Sequence, residues 1–482
     1  MAEGKDLTIL QLNDSHGYFE IHPELFWEGD REVYRSVGGY ARIATLFNEI
    51  RRERPGSVLA LDNGDTIHGT FAAVDSQGER MIPLLNHLAF DGMTAHWEFA
   101  YGPKQFENVA GKLDYPMLAI NCYREKDGEL AYQPYTVIER NGLSIGVIGV
   151  AATIVDKTMP SHFSKGLRFT LGRRELPGYI EKLRDEERVD LVVVLSHLGY
   201  PQEIQLAEEV DGIDVLLSGH THNRVYDAVV VNGAIVIQSG CHGSFIGRLD
   251  LNVSDRGVKD FRHELITVEE SIKPDPDVEG MIDRALRSHR DGLDTVVGST
   301  KTSLNRGRVL ESTMDNLLLG SAMEYTGAEL AFSNGWRYGA PVVPGPVTVN
   351  DIWNIVPTNP PVSVCELTGE ELWRMMEENL EHTFSRNPYN QMGGYVKRCS
   401  GLNIYFKVEN PEGLRIQDFF VGGKRLEMRR VYRACFLTTQ GVPTKYGINR
   451  ENLDVRAVEA LVEYLERNSP VAPRYEKPVI PI

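Results

Sequence analysis

The sequence predicts a two-domain α/β protein, and three observations carry that expectation. Short β-branched or Leu-rich runs alternate with amphipathic helical stretches through the first half of the chain, the pattern of an α/β layered domain. At 482 residues the chain is longer than one ordinary core serves. A charged, Pro-punctuated stretch, Ser271-Ile272-Lys273-Pro274-Asp275-Pro276, divides it.

The runs LTILQL (7–12), VLAL (58–61), IGVIGV (145–150), LVVVL (191–195), VLLS (215–218) and AIVIQS (234–239) read as buried strands. Ala41–Arg52 and Glu175–Glu187 read as amphipathic helices between them. In such domains ligands collect beyond the carboxyl ends of the strands. After the divider a helix to about Arg290 is expected. The remainder opens with helices around Asn316–Tyr325 and Thr368–Thr383 and continues with Gly-punctuated strands such as LNIYFKV at 402–408, a mixed α/β second domain.

Apolar residues make up 42% and charged residues 25%, so a globular chain with a buried core is expected. The formal charge of -17 argues against nucleic acid or an anionic membrane as partner, because both recruit clustered Lys and Arg. A small anion held by a metal remains compatible. Cys122, Cys241, Cys365, Cys399 and Cys435 are far apart, odd in number and without a CxxC pair, which points to reduced buried thiols. Met1 to Lys5 contains no apolar leader core, and no later run approaches membrane-spanning length. A cytoplasmic protein is expected as written, or a periplasmic or extracellular one if a leader has been removed.

Five segments place Asp or His directly after a predicted strand: Asn13-Asp14-Ser15-His16-Gly17, Asp62-Asn63-Gly64-Asp65, Ala95-His96-Trp97-Glu98, Ser196-His197 and Gly219-His220-Thr221-His222. Each alone reads as a turn or a structural histidine. At the ends of predicted strands their side chains can together converge on one crevice, and clustered His and Asp are the usual means of building a hydrolytic metal site.

This series resembles the calcineurin-like metallophosphoesterases and, with the second half, the 5'-nucleotidase family. The motifs L-N-D-S-H-G, G-D-T-I-H-G-T, S-H-L-G and S-G-H-T-H match in order and spacing, and E-L-T-G-E-E-L (366–372) and S-N-G-W-R-Y-G (333–339) match the second domain. The resemblance implies a four-layer α/β/β/α metallophosphoesterase domain over 1–270, a linker helix over 271–294 and a 5'-nucleotidase-type α/β substrate-binding domain over 295–482. It further implies that Asp14, His16 and His222 hold one divalent ion, that His96, His197 and His220 hold another, and that Asp65 bridges them. Imidazoles with carboxylates suit Mn, Zn, Fe or Co better than Ca or Mg, and Mn is the expected ion.

The third motif departs from that family. Its nucleotidases read G-N-H-E-F-D, with Asn as ligand and a catalytic His oriented by Asp. Here His96 stands at the Asn, Trp97 at the catalytic His and Ala100 at its Asp. General acid help is worth roughly 10²–10⁴-fold, so its loss bears most on a poor leaving group. His242, in Gly240-Cys241-His242-Gly243, is a candidate for that role and otherwise a structural loop histidine. The H-W-E-F-x-Y-G run (96–102) is instead similar to the thiosulfohydrolase of bacterial sulfur oxidation, as are Asn334 to Gly339 and Asn387 to Gly394.

On the substrate side, the nucleotidase resemblance assigns phosphate contact and a catalytic role to Arg337, beside Asn334, and places Lys397 and Arg398 in the same cleft. A guanidinium fork suits tetrahedral oxyanions. Tyr395 matches one base-clamping aromatic. The second clamp's Gly-Gly-Asp loop is replaced by Thr439 to Tyr446, where Tyr446 either stands in or is structural. Three readings follow: a 5'-nucleotidase-type phosphomonoesterase, a thiosulfohydrolase-like enzyme acting on a sulfur ester, or a non-enzymatic metal-binding protein. The expected partner is a small anion, such as a nucleotide, another phosphate or a sulfur ester.

Overall fold

A computed structural model describes residues 4–254, 257–393 and 395–482; Gly394, at the end of the Asn387 run, lies outside the described residues. The chain forms two compact units. The first runs to His22 and resumes over Ser36–Arg287, and the second takes Pro23–Arg35 and Ser288–Ile482.

The first unit is built on two sheets. One orders its strands Gly257–Thr267, Phe245–Ser254, Lys5–Leu12, Val58–Asp62 and Gly92–Met93. The other orders Val229–Val231, Ala234–Ile237, Val215–Leu217, Leu191–Ser196, Leu143–Val150 and Tyr135–Arg140. Side-chain alternation along a strand dictates how they stack. Leu191, Val193 and Leu195 point inward with Ile145, Val147, Val215 and Leu217, and meet Leu7, Ile9, Leu59, Leu61 and Leu249 of the other sheet. Val192 and Val194 point the other way, onto Ile180, Leu183 and Leu206 of the helices Leu176–Asp185 and Tyr200–Glu209.

Each fully buried Val or Leu contributes about 1.5–3 kcal/mol of transfer free energy, so both faces of this sheet are strongly determined. The helix Tyr40–Glu53 buries Ile43, Ala44, Phe47 and Ile50, one stripe at helical spacing, and packs with Pro276–Leu286. The result is the four-layer helix–sheet–sheet–helix arrangement.

The central strands are parallel: Val58–Asp62 beside Lys5–Leu12, and Leu191–Ser196 between Leu143–Val150 and Val215–Leu217. Their carboxyl ends therefore open on one edge, which is the condition for a site.

In the second unit a five-stranded sheet orders Arg398–Ser400, Leu330–Ser333, Val431–Leu437, Pro361–Thr368 and Ile448–Arg456. A four-stranded sheet contains Leu402–Phe406. Leu372, Met375, Met376 and Leu380 of the helix Gly369–Phe384 pack into the core with Leu367, Phe406 and Phe419. The E-L-T-G-E-E-L motif is the start of that helix. The Thr368 side chain accepts from the Glu371 N–H, and the Glu371 carboxylate accepts from the Thr368 N–H, a reciprocal cap.

No helix among the described residues is long and apolar enough to cross a membrane. All five cysteines are buried and unpaired with one another.

Gly149 tests the packing of the first unit. A Cβ there would lie 2.1 Å from the carbonyl oxygen of Leu118, a backbone atom that cannot turn away. Gly149→Ala is expected to cost about 1–3 kcal/mol, seen as a lower urea midpoint at unchanged slope.

Candidate metal centre

The seven sequence-predicted ligands converge at the carboxyl edge of the first unit. Asp65, His96, His197 and His220 form one group, and Asp14, His16, Asp65 and His222 form another, each with donor atoms within 4.8 Å of one another. Asp65 is common to both. Its Oδ2 lies 3.1 Å from His96 Nδ1, 3.3 Å from His197 Nε2 and 3.9 Å from His16 Nε2. Asp14 Oδ1 lies 3.1 Å from His222 Nε2 and 3.6 Å from His197 Nε2.

This convergence carries a conformational cost. Asp14, His16, Asp65, His220 and His222 all have positive φ, between 48° and 70°. For non-glycine residues this region is sparsely populated and costs of order 1–3 kcal/mol each. Backbone bonds between loops hold the strained residues in place: Asp14 N–H donates to Gly64 O at 3.0 Å and His16 N–H to Asp65 O at 2.8 Å. Gly64 itself needs to be glycine, since it has φ 84° and a Cβ would sit 2.6 Å from Thr94 O.

Polar partners behind the ligands orient them. His197 Nδ1 bonds the Asn63 carbonyl at 2.6 Å, which sets the tautomer and leaves Nε2 facing the carboxylates. The Asn63 side chain donates to Ser196 O and Leu217 O and accepts from Gln11 Nε2, which also donates to Ser218 O. Asp14 accepts from the His220 N–H and from Asn13 Nδ2. The Trp97 N–H donates to Asp65 Oδ1 at 2.7 Å.

Electrostatics favour cation binding. Burial opposes protonation of His197, but the carboxylates of Asp65 and Asp14 outweigh it and push the imidazole up to about 10. Burial likewise opposes ionisation of Asp65, yet His96 and His197 hold it well below the usual carboxylate range. His96 Nε2 is buried with no hydrogen-bond partner. An unpartnered nitrogen on a ring whose Nδ1 lies 3.1 Å from the shared Asp65 carboxylate fits a divalent cation.

Three further residues shape this edge. His242 is buried with φ 60°, its ring centroid 6.4 Å from those of His16 and His222 and 4.8 Å from that of Tyr18. Trp97 is stacked on His68, with centroids 4.7 Å apart and planes 6° apart, and Phe163 packs against it edge-on. Burial pushes His68 down to about 3, so it is neutral. The Glu98 carboxylate accepts main-chain N–H groups, that of His96 among them.

In the second unit Arg337 and Arg398 flank the Tyr395 ring, their guanidinium carbons 5.5 and 5.6 Å from its centroid. The structure engages the other predicted substrate residues internally. Arg398 is buried and pairs with Asp315 at 3.1 Å while donating to the carbonyls of Val309 and Arg308. Lys397 donates to Gln440 O, and burial pulls its ammonium down to about 8. Thr438 Oγ1 donates to Asn334 Oδ1 at 3.2 Å. Tyr446 donates to Glu378 Oε2 at 3.1 Å and packs on the core.

Sequence reasoning missed Asp315 and Arg306, which form a buried pair at 3.0 Å. Burial opposes ionisation of Asp315, but Arg306 and Arg398 overcome it and hold the carboxyl below its usual range. The signal was masked because Ser312 and Asp315 read as an ordinary helix cap, which they also are.

Comparison with known proteins agrees with this geometry. Residues 7–224 match the calcineurin-like phosphoesterase model, and 295–439 match the 5'-nucleotidase C-terminal domain. The trifunctional nucleotide phosphoesterase YfkN of Bacillus subtilis is 24% identical over 86% of this chain, which spans 30% of that protein's length. A 5'-nucleotidase of Vibrio vulnificus is 24% identical, covering 96% of this chain and 91% of its own.

Among solved structures, the sulfate thiohydrolase SoxB of Thermus thermophilus superposes with a TM-score of 0.93 at 26% identity, covering 100% of this chain and 98% of its own. A 5'-nucleotidase precursor, also of Thermus thermophilus, shares the fold, with a TM-score of 0.86 at 21% identity and 99% coverage of both chains. Two matched domains in this order define a hydrolase of the metallophosphoesterase superfamily, a class that implies divalent metal ions. Over nearly its whole length the chain resembles the two-domain 5'-nucleotidases.

The raised His197 makes metal binding pH-dependent. A group whose pKa lies near 10 is protonated at neutral pH and must release its proton to ligate. Mn binding to metal-free protein should therefore release protons and strengthen with rising pH, by about tenfold per unit for each proton displaced. Calorimetry in buffers of different ionisation enthalpy measures this directly.

Proposed function

We propose that the protein is a dinuclear metal-dependent hydrolase of 5'-nucleotidase type, acting on phosphomonoesters. The observation that carries the reading is the shared Asp65 carboxylate, which belongs to both groups of donors. Asp14, His16, Asp65 and His222 would hold one cation and Asp65, His96, His197 and His220 the other, with Mn the expected ion. When bound, such a pair activates water at neutral pH and neutralises charge on a tetrahedral centre.

The chain's own residues set the remaining terms. His197 presents Nε2 because the Asn63 carbonyl takes its other nitrogen. Arg337 and Tyr395 of the second unit offer an oxyanion contact and an aromatic face. We assign the metal centre to 1–270 and substrate binding to 295–482, with 271–294 as the connection.

A second reading, a thiosulfohydrolase-like enzyme releasing sulfate from a sulfur ester, is favoured by one observation. Trp97 stands where the family's nucleotidases place a proton-donating His, and its indole is packed between His68 and Phe163. That side chain offers nothing to protonate a poor leaving group. The likeness to the Thermus sulfate thiohydrolase supports this reading too.

Release of inorganic phosphate from AMP and from an activated aryl phosphate, by EDTA-stripped protein reloaded with Mn, separates the two. Comparable turnover supports the nucleotidase. Turnover of the aryl phosphate alone removes AMP as substrate and turns the test to sulfate release from a protein S-sulfonate. His242→Ala is expected to lower kcat by roughly 10²-fold or more if His242 is the acid, without releasing metal; an unchanged kcat removes it from the chemistry.

A further inference from the structure

Glu98 is 1% exposed, and no Lys or Arg pairs with it among the described residues. Its carboxylate is met instead by four main-chain amides. Oε1 accepts from the N–H groups of Thr66 at 2.7 Å and Ile67 at 3.2 Å. Oε2 accepts from the N–H groups of Asp65 at 3.2 Å and His96 at 2.8 Å. These amides belong to two different loops. One follows the strand Val58–Asp62 and carries Asp65; the other follows Gly92–Met93 and carries His96.

Charge-assisted bonds to main-chain N–H groups are among the stronger hydrogen bonds, and their strength grows where solvent is excluded. A single buried carboxylate thus ties together the loops that supply the shared oxygen and one of the imidazoles. The neighbouring Trp97 N–H on Asp65 Oδ1 completes the tie, leaving Asp65 Oδ2 toward the histidines.

We propose that Glu98 is a positioning residue of the metal centre, which sets the register of Asp65 against His96. The proposal rests on the metal-centre reading given above. Glu98 touches neither substrate nor metal in this role. It acts through the main chain of two ligands, and outer partners of this kind are worth roughly 10–100-fold in metal affinity.

The geometry gives a sharp test. Each oxygen of Glu98 accepts two N–H groups, whereas a glutamine offers one oxygen and one NH₂. Glu98→Gln must therefore turn a donor against either the Thr66 and Ile67 amides or the Asp65 and His96 amides. Glu98→Asp keeps the charge but is one methylene shorter and spans the two loops poorly.

The full-length chain, stripped of metal, is titrated with Mn by calorimetry, with bound Mn counted by elemental analysis and spin coupling followed by EPR. The wild type should bind two ions with an exchange-coupled spectrum. Glu98→Gln should bind one of them at least about tenfold more weakly and show the signal of isolated Mn, while the metal-free melting temperature moves by only a few degrees. Glu98→Asp should fall between.

Wild-type affinity and a wild-type coupled spectrum in Glu98→Gln would overturn the proposal. If Glu98→Gln does not fold, Glu98→Asp carries the same comparison. Failure of both to fold would overturn it as well, by making Glu98 a determinant of the fold. A wild type that takes up fewer than two ions would overturn the metal-centre reading itself, and that outcome is visible before any variant is measured.

Discussion

Asp14 and Asp65 are carboxylates almost wholly removed from solvent, and the site is organised around making that burial tolerable. A buried, unmatched charge costs several kcal/mol. Each carboxylate is therefore ringed by donors: Asp14 by the His220 amide, Asn13 and His222, and Asp65 by the Trp97 amide, His96 and His197. Five of the ligands adopt left-handed backbone to reach these positions. Such conformations persist only where the surroundings over-determine them, and the parallel strands that end beneath each loop supply that rigidity.

The same constraint reaches down between the sheets. Gln11 and Asn63 project from one sheet and bond to the main chain of Ser196, Leu217 and Ser218 at the strand ends of the other. Apolar packing determines that the two sheets lie face to face, but it is non-directional. The amide bonds select one register among the packings that hydrophobic burial would accept. The imidazole of His197, bonded to the Asn63 carbonyl, inherits its orientation from that register.

Much of the fold was legible in the chain. The six apolar runs of the first half are the strands Lys5–Leu12, Val58–Asp62, Leu143–Val150, Leu191–Ser196, Val215–Leu217 and Ala234–Ile237, because a strand buried on both faces is largely apolar. The helix expected around Thr368 begins at its cap. Less of the substrate side could be read. Arg398 and Lys397 look like ligand residues by type and place, yet Asp315 and the Gln440 carbonyl engage them. A basic side chain's partner across many residues of chain leaves no local trace.

Glu98 shows the same boundary from the opposite side. Beside His96 its sequence reads equally as an orienting carboxylate or a helix-start acid, and only the closure of two loops around it shows four amides on one side chain. Trp97 was visible as a departure from the nucleotidase pattern, but its stacking on His68 was not, since the two lie 29 positions apart. By itself the sequence determined the layered architecture and the set of His and Asp residues at strand ends, because periodicity and chemical type are local properties. Tertiary structure alone decided which side chains share a carboxylate and which arginines serve the core, because those depend on distances that exist only after the strands have packed.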